Sequence, residues 1–365
     1  MTFTIKSIED IENLRFRYLQ FAPFDKVVID KAKIKKQGVL RWAIKYAFWN
    51  VSSNGSIIIK DSSYDGYTER EIKKDFWQTK RELFKTLGGE VEPLKLSENE
   101  IEVKKLRSSS YSNTGVTFGV VFSGSKSEEP VLINCLESLR KTCEKSPNIP
   151  SEIIVCGPSE YSAHHLQEMF KDSINFHYLQ YDAAVEHGRF LIGKKKNFLL
   201  QRSSYNVVTI MHARIEVEED FVNKIFYRQF DMISPQVQGL EDGKLYDYLS
   251  YILIRSYNFD ASASNPLSTD YFSEKYLYYM KNYYPYIDGG MIVFNKNVIK
   301  EEPFNNKLAW AEAEDVDVAQ QCYGEGILID FYKDIICCSQ TVKYRLKPST
   351  LKKINIFMIN LKRFL

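Results

Sequence analysis

VTFGVVFSGS, residues 116–125, is the stretch of the chain that decides its fold. Its apolar part is β-branched, aromatic or glycine, which is typical of a buried strand, and the small residues after it indicate a loop. Pro130 then opens a segment with the apolar spacing of a helix, and residues 152–157 (EIIVCG) form a second buried apolar run. Strand, helix and strand in this order predict a right-handed unit with parallel strands. The sequence therefore predicts an α/β fold built on a mostly parallel sheet.

Small and polar residues follow both strands of this unit. Ser123, Gly124 and Ser125 come after the first strand, and Cys156 and Gly157 close the second. Ligands of open α/β sheets bind beyond the carboxyl ends of the strands. We therefore expect these residues to border a ligand site.

The chain of 365 residues is long enough for about two domains. Residues 1–106 alternate short apolar runs with helical patterns, which predicts a small α/β domain. The polar residues 107–115 are a predicted linker, and residues 116–344 form the predicted second domain. Residues 345–365 have apolar positions at spacings of three and four between basic ones, which predicts an amphipathic C-terminal helix.

The composition excludes several classes of protein. Hydrophobic residues make up 44% and charged residues 26%, which excludes a disordered chain. No apolar run of about 18 residues occurs, so no transmembrane helix is predicted. The first residues lack the apolar stretch of a signal peptide, which predicts a cytoplasmic protein. The six cysteines contain no CxxC pair, so neither a disulfide framework nor a structural zinc site is expected.

Positive charge is concentrated at the end of the chain. The formal net charge is +2, yet residues 335–365 hold seven lysines and arginines and no acidic residue. The rest of the chain is slightly acidic, which argues against a nucleic-acid partner. The basic helix of residues 345–365 either contacts an anionic membrane surface, as a peripheral protein on the inner face would, or packs on its own domain or a second subunit.

The second domain carries further motifs. Its residues 246–286, which lie between the motif at 212–214 and the motif at 288–290, are dense in aromatic side chains. The motifs occur in this order: Lys196-Asn197 before a predicted helix over 198–203, His212-Ala213-Arg214 at the end of a predicted strand, Asp288-Gly289-Gly290 before another strand, and Trp310, Glu312, Glu314 and Asp315 in an acidic segment that opens a helix.

Over about Phe118 to Lys333, the order and spacing of these motifs resemble family 2-type glycosyltransferases, which have the GT-A fold, a Rossmann-like and mostly parallel sheet. The resemblance implies an enzyme that takes a sugar from a nucleotide-sugar donor to a glycan or lipid-linked acceptor in bacterial surface polysaccharide synthesis. It implies that the donor is bound by Ser123, Gly124, Ser125, Cys156, Gly157, Lys196, Asn197, His212, Arg214, Asp288, Gly289 and Gly290. It further implies that Glu314 and Asp315 are catalytic and that Trp310 and Glu312 contact the acceptor.

The Glu-Asp pair has a clear chemical reading. Inverting transfer needs one carboxylate that accepts the proton of the acceptor hydroxyl, and a helix N-terminus stabilises such a carboxylate. Asp315 fits this position, and Asp317 is the reserve candidate. The alternative is an ordinary helix with an acidic first turn. Two other residues have similar alternatives. Lys196 either contacts the donor phosphate or belongs to a solvent-exposed run of lysines. Asp288 either binds the sugar or forms a turn before the two glycines.

The metal position departs from the family. A DxD motif would normally ligate Mg²⁺ or Mn²⁺ at the donor diphosphate through carboxylate oxygens. This chain has His212-Ala213-Arg214 instead. His212 is a possible Mn²⁺ ligand, whereas Arg214 together with Lys196 would neutralise the diphosphate without a metal. Both arrangements are open at this point.

Other functions compete with this interpretation. A nucleotidyltransferase also uses a Rossmann-like sheet but needs acidic metal ligands, and a catalytically degenerate relative would bind glycan or a partner. Residues from about Asp25 to Lys105 resemble part of a class I methyltransferase, with a strand, a helix and a final hairpin. No GxGxG loop occurs there, so a structural or docking role without cofactor is expected, with a working methyltransferase as the rival.

Overall fold

The computed structural model describes residues 1–15, 17, 21–35, 40–61, 66–106, 112–171, 173–186, 188–241, 244–247, 251–254, 284–287, 289–309, 312 and 314–341. The predicted C-terminal helix, part of the predicted linker, Asp288 and Trp310 lie outside these residues. Within them, no helix is both long and apolar enough to cross a membrane.

The helices of this part of the chain are α1 (Ile8–Arg15), α2 (Lys31–Lys35), α3 (Leu40–Asn50), α4 (Glu69–Leu87), α5 (Glu129–Glu144), α6 (His164–Phe170), α7 (Ile192–Arg202), α8 (Phe221–Phe226) and α9 (Glu314–Gly324), with a short 3-10 turn at Gly88–Glu90. The strands are β1 (Thr2–Ile5), β2 (Phe24–Asp30), β3 (Val51–Lys60), β4 (Val91–Ser97), β5 (Glu100–Lys105), β6 (Val116–Val121), β7 (Ser151–Gly157), β8 (Asn175–Gln180), β9 (Val185–Glu186), β10 (Arg189–Phe190), β11 (Val207–His212), β12 (Ile215–Val217), β13 (Met232–Glu241), β14 (Lys244–Asp247), β15 (Tyr251–Ile254), β16 (Tyr284–Ile287), β17 (Met291–Asn295) and β18 (Ile329–Ser339).

The described residues of 1–106, here called the N-terminal unit, form a sheet in the order β1-β2-β3-β5-β4. The first three of these strands are parallel, and β5 is antiparallel to both neighbours. Helix α4 begins at a capping box of Thr68 and Glu71, and it ends where Gly88 takes a φ of 56°. The predicted succession of strands, helices and a closing hairpin is therefore observed.

The described residues from 112 onward, here called the C-terminal unit, form a second sheet in the order β12-β18-β13-β17-β11-β6-β7-β8, with β14 beside β13. Strands β8, β7, β6 and β11 are parallel neighbours, and β17 is antiparallel to β11 and β13. Every residue of β6 is buried, as the apolar run predicted. The predicted α/β fold is confirmed, and four of the eight described strand pairs of this sheet are parallel.

Helix α7 differs from its prediction. We expected residues 193–197 to precede a helix over 198–203, but the helix begins at Ile192. Lysine favours helices, and Gly193 is tolerated near the N-terminus of this one. A Cβ on Gly193 would lie 2.6 Å from the carbonyl oxygen of Asn305, so glycine lets that loop approach. The predicted loop lysines are therefore helical.

The two units share buried contacts made by helix α3. The Trp42 indole donates to Asp330 over 3.4 Å, and the Tyr46 and Tyr332 hydroxyls lie 3.0 Å apart. The Lys45 ammonium lies 2.8 Å from the fully buried Asp231 carboxylate. One continuous apolar cluster includes residues of both units. Because buried charges are costly unless paired, these contacts fix one arrangement of the units.

Gly326 of the C-terminal unit offers a direct test of the contact between the two units, because it lies against Lys85 of α4. Its φ is +89°, and a Cβ there would lie 2.1 Å from the Lys85 carbonyl oxygen. We expect Gly326→Ala to lower the free energy of unfolding by at least about 2 kcal/mol, from backbone strain plus the clash. Urea unfolding measures this loss. Gly324→Ala is the matched control, since nothing lies within 4 Å of its added Cβ. Equal midpoints for the two variants would contradict the described contact.

Candidate active site

The predicted donor-binding segments meet at one edge of the second sheet. Val121 pairs in register with Cys156 on one side and with His212 on the other, so β6, β7 and β11 end side by side. The His212 backbone N–H donates to the Gly290 carbonyl over 3.0 Å, which adds the Gly-Gly turn. Residues far apart in the sequence are thus brought together as the motif order predicted.

The loop after β6 is a tight turn. The Ser123 backbone N–H donates to the Glu128 carboxylate over 2.8 Å, which ties the loop to the start of α5. Gly124 has a φ of 84°, and a Cβ there would lie 2.3 Å from the Pro158 ring. The loops after β6 and β7 therefore touch, while Ser123 and Ser125 stay exposed at the edge.

The end of β7 contributes backbone rather than a reactive thiol. Burial raises the pKa of the Cys156 thiol to about 12, so the side chain is a protonated part of the core. A Cβ on Gly157 would lie 2.2 Å from the Tyr178 hydroxyl, so a larger residue would displace that ring. Any contact of these residues with a ligand is made by main-chain groups.

The central cluster of the site joins helix α7, the Gly-Gly turn and helix α9. Lys196 is fully buried, and its ammonium donates to the Glu314 carboxylate and to the Gly289 carbonyl, each over 2.8 Å. The Gly289 backbone N–H donates to the Asp315 carboxylate over 3.0 Å, and the Val316 N–H donates to its other oxygen over 2.9 Å. The prediction that a Glu-Asp pair opens this helix is confirmed.

Gly289 is required by this cluster. A Cβ on it would lie 2.9 Å from both the Glu314 carboxylate and the Lys196 ammonium, and 3.0 Å from the Asp315 Cβ. The absence of a side chain is what lets the turn approach the first residues of α9.

His212 and Arg214 form a hydrogen-bonded pair. An Arg214 guanidinium nitrogen lies 2.5 Å from His212 Nδ1. Because guanidinium can only donate, Nδ1 accepts and the ring proton is assigned to Nε2. An imidazole beside a guanidinium does not fit the oxygen ligands that Mg²⁺ or Mn²⁺ prefers. Among the described residues, no group of three His, Cys, Asp or Glu side chains is arranged to hold a metal ion, so we derive no step through one.

Two predicted ligand contacts instead hold the loop that leads into α9. The Asn197 amide donates to the Phe304 carbonyl over 2.7 Å and accepts from the Phe304 N–H over 3.0 Å. Glu312 accepts from the Ala309 N–H over 2.9 Å and from Arg189 over 2.7 and 2.8 Å. These bonds, the backbone one foremost, lower the pKa of Glu312. Roles for Asn197 and Glu312 in donor and acceptor binding stay predictions.

Lys195 is a functional candidate that sequence reasoning missed. Only 3% of it is exposed, and its ammonium donates to the Phe122 carbonyl over 3.0 Å at the end of β6. Burial lowers the pKa of Lys195. The Lys195 ammonium therefore lies at the sheet edge where the predicted donor-binding loops meet. The run of three lysines at 194–196 indicated a cation near the site. Choosing among them requires knowing at which residue helix α7 begins.

Comparisons with known proteins found only distant structural similarity. No protein-family model matches the chain, and no curated protein matches it. A crystal structure of TarS residues 1–349 from S. aureus is similar with a TM-score of 0.41 and 14% identity over 62% of this chain and 60% of that one. The same fragment in complex with UDP gives 0.40 and 13% over 62% and 60%.

GalNAc-T7, in a crystal structure with UDP, GalNAc and Mn²⁺, is similar with a TM-score of 0.44 and 12% identity over 80% of this chain and 57% of that one. The chain thus spans about 60% of the TarS fragment and 57% of the GalNAc-T7 chain. These structural neighbours are glycosyltransferases at low identity. The methyltransferase resemblance of the N-terminal unit is not shown by any of them.

Proposed function

We propose that this protein is an inverting glycosyltransferase, with a nucleotide sugar as donor and a glycan or lipid-linked acceptor of bacterial surface polysaccharide synthesis. The observation that carries the proposal is the carboxylate of Asp315. It stands in the first turn of α9, half-buried, and accepts hydrogen bonds from the backbone of Gly289 and Val316. The turn that holds it is bonded to the end of β11, at the edge where ligands of such sheets bind.

The proposed reaction follows from these positions. The acceptor hydroxyl oxygen attacks the anomeric carbon of the donor sugar, and its proton passes to the Asp315 carboxylate. The bond from the anomeric carbon to the diphosphate oxygen breaks, and the nucleoside diphosphate leaves with the electron pair. The two backbone N–H donors fix the direction of the carboxylate, which a general base needs.

The cations of the site have different proposed roles. Arg214 and Lys195 lie at the sheet edge and would offset the negative charge of the leaving diphosphate. Lys196 is bonded to Glu314 and Gly289, so we assign it the positioning of the turn that holds Asp315. Its predicted contact with phosphate stays a prediction.

A second candidate function is a catalytically inactive protein that binds nucleotide or glycan. It is favoured by the His212–Arg214 pair, which occupies the position of the expected acidic metal ligands.

A binding panel and a release assay test the proposal. The purified chain is heated with UDP, GDP, CDP, CMP or S-adenosylhomocysteine, each with Mn²⁺ and with EDTA. A ligand at about 100 times its dissociation constant adds about 2.7 kcal/mol to stability, a shift of several degrees. We expect one nucleoside diphosphate to shift the midpoint, and its nucleotide sugars to release that diphosphate when acceptor is present.

The other outcomes separate the alternatives. Nucleotide binding without release from any donor would support the inactive protein. A shift by S-adenosylhomocysteine alone would favour a methyltransferase, and no shift by any nucleotide would overturn the proposal.

A further inference from the structure

A cavity of about 240 Å³ lies between the two units, apart from the candidate active site. Its walls come from the end of α1, the last turn of α3, the start of β3 and the end of β5, together with Arg17, Phe21 and Pro23. Gln229 of the C-terminal unit completes them. None of the residues assigned above to donor, acceptor or catalysis lines it.

The cavity is positively charged. Arg15, Arg17 and Lys105 line it, and none of its lining residues is acidic. The guanidinium of Arg15 lies 3.5 Å from the Asp330 carboxylate, so its charge is compensated. Arg17 stacks over the Phe24 ring at 4.0 Å.

Lys105 is the buried cation of the cavity on which the argument for a bound anion depends. It is 3% exposed, and its ammonium donates to the carbonyls of Phe48 and Val51 over 2.6 and 2.8 Å. An ammonium has three donors, and these two carbonyls use two of them. Burial lowers the pKa of Lys105 to about 8, and the charge of Glu90, which acts in the opposite direction, offsets only part of that effect. An anion in the cavity would compensate the rest.

Two buried polar atoms of lining residues also lack partners. The indole nitrogen of Trp49, a residue 7% exposed, and the side-chain oxygen of Gln229 have no hydrogen-bond partner in the described part of the chain. Buried polar groups are normally bonded, so each needs a partner that the described residues do not supply. The indole can only donate and the amide oxygen can only accept. A ligand with an acceptor and a donor group would satisfy both.

We propose that this cavity binds a small organic anion, in which a phosphate or carboxylate group is carried on an aromatic or compact apolar body. The anionic oxygens would accept from Lys105 and Trp49, and the body would pack on Leu14, Phe21 and Tyr46. A cavity of about 150 Å³ holds benzene, so this one has room for a ring and its anionic group. The ligand would contact both units. The proposal does not depend on the proposed function.

Isothermal titration of the full chain with phenyl phosphate, benzoate, inorganic phosphate and phenol tests the site. We expect saturable binding of an aromatic anion with a dissociation constant on the order of 1 mM or below. The tighter of phenyl phosphate and benzoate identifies the anionic group. Phenol, which lacks the charge, should bind at least about tenfold more weakly.

Variants locate the binding. Lys105→Met should weaken it about tenfold or more, and Trp49→Phe, which keeps a ring but removes the indole N–H, several-fold. Lys104→Met is the matched control, because it removes the same charge from the next residue of β5 and Lys104 does not line the cavity. Trp49→Phe also serves if Lys105→Met does not fold. Unchanged affinity in both lining variants, equal affinity for phenol, or no saturable binding would overturn the proposal.

Discussion

Asp315→Asn lowers the rate of sugar transfer by a factor of about 10² to 10⁴, while the affinity for the donor nucleotide changes by less than about twofold. The amide keeps the size of the carboxylate, and its oxygen can still accept from the Gly289 N–H while the bond from the Val316 N–H is lost. Because the Gly289 bond is the one that holds the turn, the turn stays in place. The amide cannot take the proton of the acceptor hydroxyl. Initial rates of nucleoside diphosphate release, with titration of the nucleotide, separate the two effects.

Asp317→Asn is the control on the same helix. Its carboxylate accepts from Gln321 over 2.6 Å, one turn further along α9, and that bond survives in the amide. We expect nearly full activity. If Asp317→Asn lost transfer and Asp315→Asn kept it, the reserve candidate would be the base. Full activity in both variants would remove helix α9 from the chemistry.

The N-terminal unit supports the helix that carries this carboxylate. Arg41 of α3 donates to the Tyr323 carbonyl over 2.7 Å, near the C-terminus of α9, and its guanidinium lies 3.8 Å from the Tyr323 ring. A cation near a helix C-terminus is favourable. The first and last turns of α9 are thus held by different units. This arrangement gives the N-terminal unit a structural role in holding α9.

The edge of the second sheet could be predicted from local patterns. Apolar runs at 116–122, 152–157 and 206–211 indicated strands, and β6, β7 and β11 are indeed parallel neighbours. Their adjacency brings the residues after them together, whatever the loops do. The Glu-Asp start of α9 was likewise visible, because acidic residues favour a first turn.

The roles of the lysines could not be predicted, because they depend on where helix α7 begins. Successive residues of a helix point about 100° apart. Lys194 pairs with Glu186 near the surface, Lys195 reaches the end of β6, and Lys196 reaches Glu314. Because we expected the helix to begin only after Asn197, the sequence did not predict that the three lysines point in different directions. The distant partners were equally invisible to local patterns.

The buried pair of Lys196 and Glu314 should be one of the most sensitive points of the chain. We expect Lys196→Met to lower the free energy of unfolding by about 3–5 kcal/mol, because it leaves a carboxylate 9% exposed with its cation gone. Glu314→Gln leaves the ammonium without its counter-charge and should also destabilise. The double variant should lose clearly less than the sum, since neither charge then remains uncompensated. Urea unfolding of the four proteins gives this coupling.

Lys194→Met, one residue away on the same helix, is the control. Its ion pair with Glu186 is 24% and 51% exposed, so its loss should cost no more than about 1 kcal/mol. Additive losses in the cycle would mean that the two charges do not meet in solution. Lys196 also bonds to Gly289, whose turn holds Asp315. We therefore expect the rate of sugar transfer to fall in Lys196→Met even under conditions in which the protein is fully folded. The affinity for the donor should fall less than this rate. A folded Lys196→Met with normal transfer would show that Asp315 is positioned without it.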